Sequence, residues 1–394
     1  MASTQKRVRS DGSIRYQVRY LDNTAKSGFS YRSFSRAKAA KAFECEKTLE
    51  EENTGLQIPQ KLSVQDAVEL WLNICEKIGR DGREPVEMST LVEYMRRAKV
   101  IQAYHWNKFI HELTALDFVQ FRNWLLENHS RDLAKRTLSS FQSIMIEMKL
   151  QGNVLENPGS GITIKTGGRF DAQNSEVDIP SDQELKDLLG AADIMGQKND
   201  FMRRAWVRYR PMIYLPVFSG LRASEVRGLP WHNVSKTSVK VTQRADKFRN
   251  IGPVKSKAGF RKIELSTKVT DIVFEWREQC HKSKYNLVFP TQSGLPIDLN
   301  NFQTDAWLPL FREADLMIER TVRGVRKLRP KYTYHGLRHY FASKLLEKNK
   351  DIKFIQNRMG HSSAEITLNT YGHLMKDREI ENQNVADELA GEFF

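Results

Sequence analysis

Two stretches rich in glycine, proline and small polar residues interrupt the hydrophobic pattern of the chain and constrain its fold most strongly. The first spans residues 53–61 and contains Gly55 and Pro59, and the second runs from Asn157 to about Asp178. Such composition is typical of linkers rather than of helices or strands. A chain of 394 residues is also too long for one ordinary hydrophobic core. We therefore expect three domains, over residues 1–55, 61–160 and 175–394.

The first predicted domain combines strand-like alternation with a strong positive charge. Apolar residues recur at every second position of Ile14–Tyr20, which is typical of a half-buried strand. We expect three short strands within residues 5–34 and a helix over 36–51 on their apolar face. Residues 1–43 hold ten lysines and arginines against two aspartates, and a basic sheet face of this kind can enter a DNA groove. An ordinary solvated face explains the pattern equally well. The candidate DNA-binding side chains on the opposite face are Arg15, Gln17 and Arg19.

The second predicted domain, residues 62–152, has helical periodicity almost throughout. A helix is expected to start at Ser63, and capping-box patterns predict helix starts at Thr90 and at Thr114. We expect a compact bundle of four or five helices with its aromatic residues in the core. The bundle's candidate phosphate contacts are Arg96, Arg97, Lys135 and Arg136.

The third predicted domain mixes helices and strands, and a capping box at Ser181 and Glu184 begins it. Overall we expect an α+β multidomain protein: a small three-stranded sheet with one helix, a helical bundle, and a mostly helical α+β domain with a small antiparallel sheet. The helices of the last domain are expected near 182–193, 202–218, 223–228, 268–280, 301–314 and 336–347, and its strands near 234–241 and 261–265.

The composition favours a polyanionic partner. The net charge is +14, and each phosphate contact made by a lysine or arginine releases counterions. Cys45, Cys75 and Cys280 show no metal-ligand spacing, so we expect reduced thiols and no metal site. The polar amino terminus and the lack of a long apolar run predict neither a secretory signal nor a membrane span, and hence a cytoplasmic protein.

Two clusters near the carboxyl end carry residues suited to phosphate chemistry. His335 and Arg338 lie three residues apart, on one face if the segment is helical. His361 follows a glycine and precedes Tyr371 by ten residues. An arginine can grip phosphate oxygens through two parallel N–H bonds, and a tyrosine can form a covalent intermediate. The clusters therefore predict a phosphate site that needs no metal.

Two further segments supply candidate cations. Arg222 follows Gly220 at a predicted turn into a helix, where anions are favoured, and Glu225 can hold its guanidinium in place. A surface arginine paired with a neighbouring glutamate is the alternative. Lys255 and Lys257 lie near a predicted hairpin tip, where a lysine can protonate a leaving group or simply contact backbone phosphate.

Together these segments resemble the boxes of the tyrosine recombinases, the phage-integrase-like site-specific recombinases. Ser219–Glu225 resembles the family's first arginine box, and His335–His339 resembles its His-x-x-Arg box. Met359–Ser363 and Thr370–Leu374 resemble its closing box, and Lys257 matches its β-hairpin lysine. The bundle resembles the core-site binding domain of the family, and the basic sheet resembles the arm-site binding domain of some members.

The resemblance implies a mechanism without metal, cofactor or ATP. Tyr371 would attack the scissile phosphodiester, form a 3′-phosphotyrosyl bond and expel a 5′-hydroxyl. Lys257 would protonate the 5′-oxygen, with Lys255 as the neighbouring candidate, and His335 would assist proton transfer at Tyr371. Arg222 and Arg338 would neutralise the charge on the phosphate, and His361 would donate a hydrogen bond to it. Glu225 would support Arg222.

The resemblance also implies partners. We expect the integrase of a phage or other mobile element, acting on double-stranded DNA attachment sites as a homotetramer, with a host DNA-bending protein and an excision factor as further partners in a bacterial nucleoid. The tail beyond Tyr371 keeps a helical period and would pack either on a neighbouring protomer or on its own domain. A catalytically silent DNA-binding regulator and a type IB topoisomerase are the alternatives.

Overall fold

The chain folds into two compact units, residues 1–167 and 168–394. The first unit contains both the sheet and the helices of the first two predicted domains, and the boundary between those domains stays a prediction. The α+β multidomain class is confirmed. Within the described part of the chain, no helix is long and apolar enough to cross a membrane. The computed structural model describes residues 3–8, 13–21, 29–54, 61–165, 178–322 and 324–372, with residues 374 and 391.

The amino-terminal segment is an antiparallel sheet with one helix on its apolar face. The strands follow the order β1-β2-β3. Val18 of the central strand is buried with Ala40 and Phe43 of the helix. Period-two alternation places Arg15, Gln17 and Arg19 on the other face. The elements are β1 (Ser3–Val8), β2 (Ile14–Leu21), β3 (Phe29–Phe34) and α1 (Ala37–Thr54).

Four helices form the bundle, and their apolar faces enclose a core rich in aromatic side chains. Ser63 and Thr114 begin helices, as predicted, and both cap them through capping boxes. The start predicted at Thr90 is wrong: the helix begins at Met88, because the backbone N–H of Thr90 already donates to the Glu87 carbonyl at 2.8 Å. The helices are α2 (Val64–Lys77), α3 (Met88–Ala103), α4 (Ala115–Asn128) and α5 (Arg131–Leu150).

Helices dominate the second unit and surround one large core, with Trp206, Trp307 and Phe311 among its buried side chains. Ser181 caps the first helix through the predicted capping box with Glu184. The helices are α6 (Asp182–Ile194), α7 (Asp200–Ser219), α8 (Ala223–Arg227), α9 (Thr267–Arg277), α10 (Leu299–Phe302), α11 (Leu308–Glu313), α12 (Tyr334–Glu347), α13 (Ile352–Met359) and α14 (Ala364–Tyr371).

The strands of this unit form three small antiparallel pairs, β4 with β7, β5 with β6, and β8 with β9. The β8–β9 hairpin is absent from the expectations above, and the structure places it immediately before α12. The tail beyond residue 374 that we expected to be helical lies outside the described residues, apart from residue 391. The strands are β4 (Ser238–Val241), β5 (Gln243–Ala245), β6 (Ile251–Pro253), β7 (Arg261–Glu264), β8 (Met317–Val322) and β9 (Val325–Pro330).

Candidate active site

Arg222 lies at the junction of α7 and α8, where a sharp turn fixes its position. Gly220 ends α7 in the left-handed region at φ 64°, a conformation that favours glycine. A Cβ at this position would lie 2.5 Å from the Phe341 ring, so the turn also depends on the missing side chain. Arg222 is the N-cap residue of α8, and its backbone N–H donates to Glu225 Oε2 at 2.8 Å. The predicted turn between two helices is therefore present.

Glu225 is buried between two arginines. Arg222 Nη1 donates to its Oε1 at 2.8 Å, and Arg261 donates to both of its oxygens, at 3.0 and 2.8 Å. Burial alone raises the pKa of this carboxyl, but the hydrogen bonds from Arg261 and the charges of Arg261, Arg222 and Arg338 lower it to about 2. Glu225 is therefore ionised, and it orients two guanidinium groups.

Arg338 extends from α12 into the interior and is 2% exposed. Its Nη1 donates to the carbonyl of Gly220, and its Nη2 donates to the carbonyl of Met359, the last residue of α13. Burial and the neighbouring charge of Arg222 lower the pKa of Arg338 to about 9. Arg222 Nη2 likewise donates to the Gly360 carbonyl, at 3.0 Å. Both guanidinium groups are thus anchored to the end of α13.

His361 follows Gly360, which ends α13 in the left-handed region at φ 63°. The His361 side chain is buried, and its Nδ1 lies 2.9 Å from Thr367 Oγ1. Burial, followed by the charges of Arg338 and Arg222, lowers the pKa of His361 to about 3. The ring is therefore neutral at physiological pH. His335, one helical turn before the α12 arginine, has its pKa lowered to about 4 by burial and then by the same two arginines.

Tyr371 is the last residue of α14 and is only 2% exposed. Its Oη lies 2.8 Å from Nδ1 of His339, within hydrogen-bonding distance. Burial raises the pKa of the phenol to about 12, although Arg338 and Arg222 act in the opposite direction. The tyrosine is therefore a protonated phenol whose hydroxyl is held by a histidine.

These side chains border a single cavity of about 590 Å³. Five of the six residues predicted as catalytic line it, whereas among the described residues of the hairpin Lys255 lines it and Lys257 does not. Lys257 instead begins the short 3₁₀ turn that follows. The choice between Lys257 and Lys255 as the general acid stays a prediction, with Lys255 the one of the two that borders the cavity. The cavity is lined by Arg222, Ser224, Glu225, Arg244, Val254, Lys255, Ser256, Gly259, His335, Arg338, His339, Gly360, His361, Ser362, Ile366, Thr370 and Tyr371.

Two residues of the site were not singled out from the sequence. His339 follows the His-x-x-Arg motif directly, so its place next to Arg338 was visible while its contact with Tyr371 was not. Arg261 begins β7, where period-two alternation places it on the same face as the buried Ile263, but its charge gives no sign of a buried partner such as Glu225. Arg261 Nε donates to the Arg358 carbonyl at 2.8 Å and so joins the hairpin to α13.

The candidate DNA contacts of the bundle lie on the neighbouring helices α3 and α5. Arg96 is exposed, while the guanidinium of Arg97 lies 5.6 Å from the Tyr94 ring centroid. Lys135 is exposed, and Arg136 pairs with Asp132 at 2.9 Å. In the described part of the chain, no three His, Cys, Asp or Glu side chains converge as a metal site would need.

Comparison with known proteins decides the family. Residues 182–378, half of the chain, match the sequence profile of the Phage integrase family. The chain is a tyrosine recombinase. A XerC-like tyrosine recombinase of Caldanaerobacter subterraneus subsp. tengcongensis is 22% identical over 358 residues, covering 82% of this chain and 83% of the relative. Tyrosine recombinase XerC of Pseudomonas entomophila is 27% identical over 294 residues, covering 72% and 85%.

Solved structures of tyrosine recombinases share the fold. The Tn1549 transposon integrase in complex with transposon right end DNA matches with a TM-score of 0.62 and 18% identity, over 82% of this chain and 100% of that one. A lambda integrase dimer bound to a COC′ core site matches with a TM-score of 0.54 and 17% identity, over 95% of both chains. The second match spans nearly the whole length of this recombinase.

Proposed function

We propose that this recombinase cleaves and rejoins DNA at attachment sites of a phage or other mobile element through a 3′-phosphotyrosine intermediate. One observation carries the proposal: the two arginines, the two histidines and the tyrosine predicted as catalytic all border the same cavity. Three arginines, Arg222, Arg261 and Arg338, lie around the carboxylate of Glu225, so the positive charge is in excess and the cavity favours an anion. A phosphodiester with a tyrosine beside it matches that charge and chemistry.

In the proposed reaction the two arginines neutralise the phosphate. Arg222 and Arg338 are already oriented by carbonyl oxygens and by Glu225, so little reorganisation is needed when charge develops on the nonbridging oxygens. A single well-placed donor of this kind contributes roughly 3–4 kcal/mol in a closed site. His361 uses Nδ1 for Thr367, so Nε2 is the atom that donates to the phosphate.

Tyr371 supplies the nucleophile. Its oxygen attacks phosphorus, the bond to the 5′-oxygen breaks, and the retained phosphotyrosyl bond allows rejoining without ATP. Lys255 is our candidate for the acid that protonates the 5′-oxygen, because it lines the cavity while Lys257 does not. No metal is required, since the cations that hold the phosphate are side chains.

In the proposed function, surfaces outside the cavity recognise the DNA sequence at which cleavage occurs. The sheet face bearing Arg15, Gln17 and Arg19 suits arm-site DNA, and the basic residues of α3 and α5 suit the core site. A homotetramer is the proposed assembly, supported by the lambda integrase tetramer bound to a Holliday junction, which matches with a TM-score of 0.51. A host DNA-bending protein and an excision factor complete the proposed set of partners.

Covalent trapping tests the proposal. The full chain is first used to select the DNA duplexes that it binds from a random library. These duplexes are then synthesised with a nick near the bound site, so that cleavage releases a short strand and leaves the enzyme covalently attached to the DNA. Wild type and the control Tyr340→Phe are expected to be trapped, while Tyr371→Phe is not. The Tyr340 hydroxyl donates to the exposed Asp182, at 3.0 Å. Trapping of Tyr371→Phe would contradict the choice of nucleophile, and loss of trapping in EDTA would contradict the metal-free mechanism.

Two further outcomes separate the alternatives. Tight, sequence-specific binding without any trapped complex from wild type would indicate a silent DNA-binding regulator. Relaxation of arbitrary supercoiled plasmids at the rate seen with plasmids carrying the selected sequence would indicate a topoisomerase.

A further inference from the structure

The hydroxyl of Tyr371 has a specific partner that the four family boxes do not designate. Nδ1 of His339 lies 2.8 Å from Tyr371 Oη, and the two rings meet edge to face with centroids 5.7 Å apart. Both residues line the cavity. The contact joins α12 to the end of α14, so it fixes the phenol relative to the arginine of the same helix.

We propose that His339 accepts the proton of Tyr371 during DNA cleavage and returns it during rejoining. The inference rests on the proposed function, because it assigns a further catalytic residue to that reaction. It replaces the expectation that His335 serves Tyr371.

The hydrogen bond gives the proposed proton transfer its path. In the proposed ground state Tyr371 donates to Nδ1 of a neutral His339, in the tautomer that carries its proton on Nε2. As the bond from Tyr371 Oη to phosphorus forms, the hydroxyl proton moves to Nδ1 and the bond from phosphorus to the 5′-oxygen breaks. The hairpin lysine gives its proton to that 5′-oxygen. Rejoining reverses each transfer, so protons and electron pairs balance over the cycle.

The surroundings keep His339 neutral until DNA arrives. Burial, then the proximity of His335 and Arg338, lowers its pKa to about 4, so at physiological pH the ring can accept a proton. A bound phosphate brings negative charge against Arg338 and thereby offsets one cause of that lowering. The basicity of His339 therefore rises when the substrate is in place.

The other two histidines of the cavity are less suited to this task. The His335 ring meets the His339 ring edge to face at 4.6 Å, and it is the His339 ring that contacts the tyrosine. His361 directs its Nδ1 to Thr367. The order of these contacts makes His335 a neighbour that tunes His339, rather than the group that touches Tyr371.

Asparagine separates proton acceptance from mere positioning. In His339→Asn the side-chain oxygen can still accept a hydrogen bond from Tyr371, but it cannot take up the proton. We expect single-turnover trapping on the selected nicked duplex to fall by roughly 10²–10⁴-fold, the usual range for a lost general base, with DNA affinity unchanged. The matched control His335→Asn should fall by less. Trapping by His339→Asn at the wild-type rate would overturn the proposal.

A bridging sulfur in place of the scissile 5′-oxygen shows which proton is affected. A thiolate leaves without an acid, so this substrate should rescue a variant of the hairpin lysine but leave His339→Asn slow. Rescue of His339→Asn by sulfur would place the defect at the leaving group and overturn the assignment.

If His339→Asn binds DNA poorly, chemical rescue tests whether His339 accepts the proton of Tyr371. Added imidazole should restore trapping by His339→Gly, and substituted imidazoles of higher pKa should restore it further. Absence of rescue in a variant that still binds the duplex would overturn the proposal. If wild type itself forms no trapped complex, the proposed function fails; if wild type is trapped and the His339 variants match it, only this inference fails.

Discussion

Replacing Glu225 with glutamine removes the negative charge that pairs with Arg222 and Arg261 in the active site. The substitution keeps the size and shape of the side chain, which is 3% exposed. Glutamine can still accept one hydrogen bond, but it cannot receive Arg222 and Arg261 as an ion would. The arginines then repel one another without a counterion. We expect both a less stable catalytic unit and a phosphate site whose Arg222 is poorly held.

The pKa of Glu225 sets the size of the expected effect. Its lowering from 4.5 to about 2 means that the folded protein favours the charged form by about 3 kcal/mol, since one pKa unit corresponds to about 1.4 kcal/mol. Removing one partner from a buried ion pair costs about 3–5 kcal/mol in other proteins, which agrees. Because the folded pKa is the lower one, this contribution is present above pH 4.5 and is lost as the pH falls towards 2.

Native-state hydrogen exchange on the full chain provides the measurement, because it reports opening free energies segment by segment. Peptides from α7, α8 and α13 should lose about 3 kcal/mol of protection in Glu225→Gln. Glu264→Gln is the matched control: Glu264 also pairs with an arginine, Arg358, but its side chain is 58% exposed. The control should change protection by about 0.5 kcal/mol or less. Equal effects of the two substitutions would refute the argument from burial.

Three further predictions concern the same unit. Lys255→Ala should slow cleavage of the oxygen-bridged duplex but not of the sulfur-bridged one, while Lys257→Ala should leave both nearly unchanged; the opposite pattern would return the acid to Lys257. Gly220→Ala should lower the melting temperature of the full chain and reduce trapping, because it adds both left-handed strain and a 2.5 Å contact with Phe341, and an unchanged melting temperature would contradict this. The cavity histidines have folded pKa values below the ordinary 6.5, so the free energy of unfolding should be at its full value above pH 6.5 and should fall on acidification. The expected loss at pH 5 is about 2 kcal/mol for His361 alone. A His361→Asn variant should lose less in urea titrations across that range.

The parts of the fold that follow from local chemistry were predictable. Ser63, Thr114 and Ser181 each begin a helix, because a side-chain oxygen satisfies a backbone N–H that the helix itself cannot. Thr90 failed as a start because it lies inside the first turn of a helix whose N-cap makes no side-chain hydrogen bond. The same residue type at the same spacing therefore predicts a start only when the preceding backbone is extended.

The β8–β9 hairpin was missed for a different reason. Strand prediction rests on one buried face, and every described side chain of β9 except the last is exposed. The sequence of β9 therefore lacks the alternation of apolar and polar residues from which a strand is predicted. The Arg323–Gly324 pair is the remaining sequence sign of the turn, with Gly324 at φ 76°.

Within the active site, the residue types and the local pair of Arg222 with Glu225 were predictable, whereas the contacts between distant segments were not. The motifs placed Arg222, Arg338, His361 and Tyr371 in one site on the strength of family resemblance. The choice between Lys255 and Lys257 depends on how the hairpin bends after β6, and two adjacent candidates look alike in sequence. The partner of Tyr371 depends on the rotation of α12 against α14, which tertiary packing decides.

The electrostatics of the cavity connect these observations. Arginines concentrated around one carboxylate attract a phosphate, but until one binds they also lower the pKa values of the histidines beside them. Neutral histidines are what the proposed chemistry needs, since His339 must accept a proton and His361 must donate a hydrogen bond without adding charge. Binding of a phosphodiester then weakens the field that kept His339 a poor base. The substrate itself thereby increases the ability of His339 to deprotonate Tyr371, while in the free enzyme the phenol stays protonated and buried.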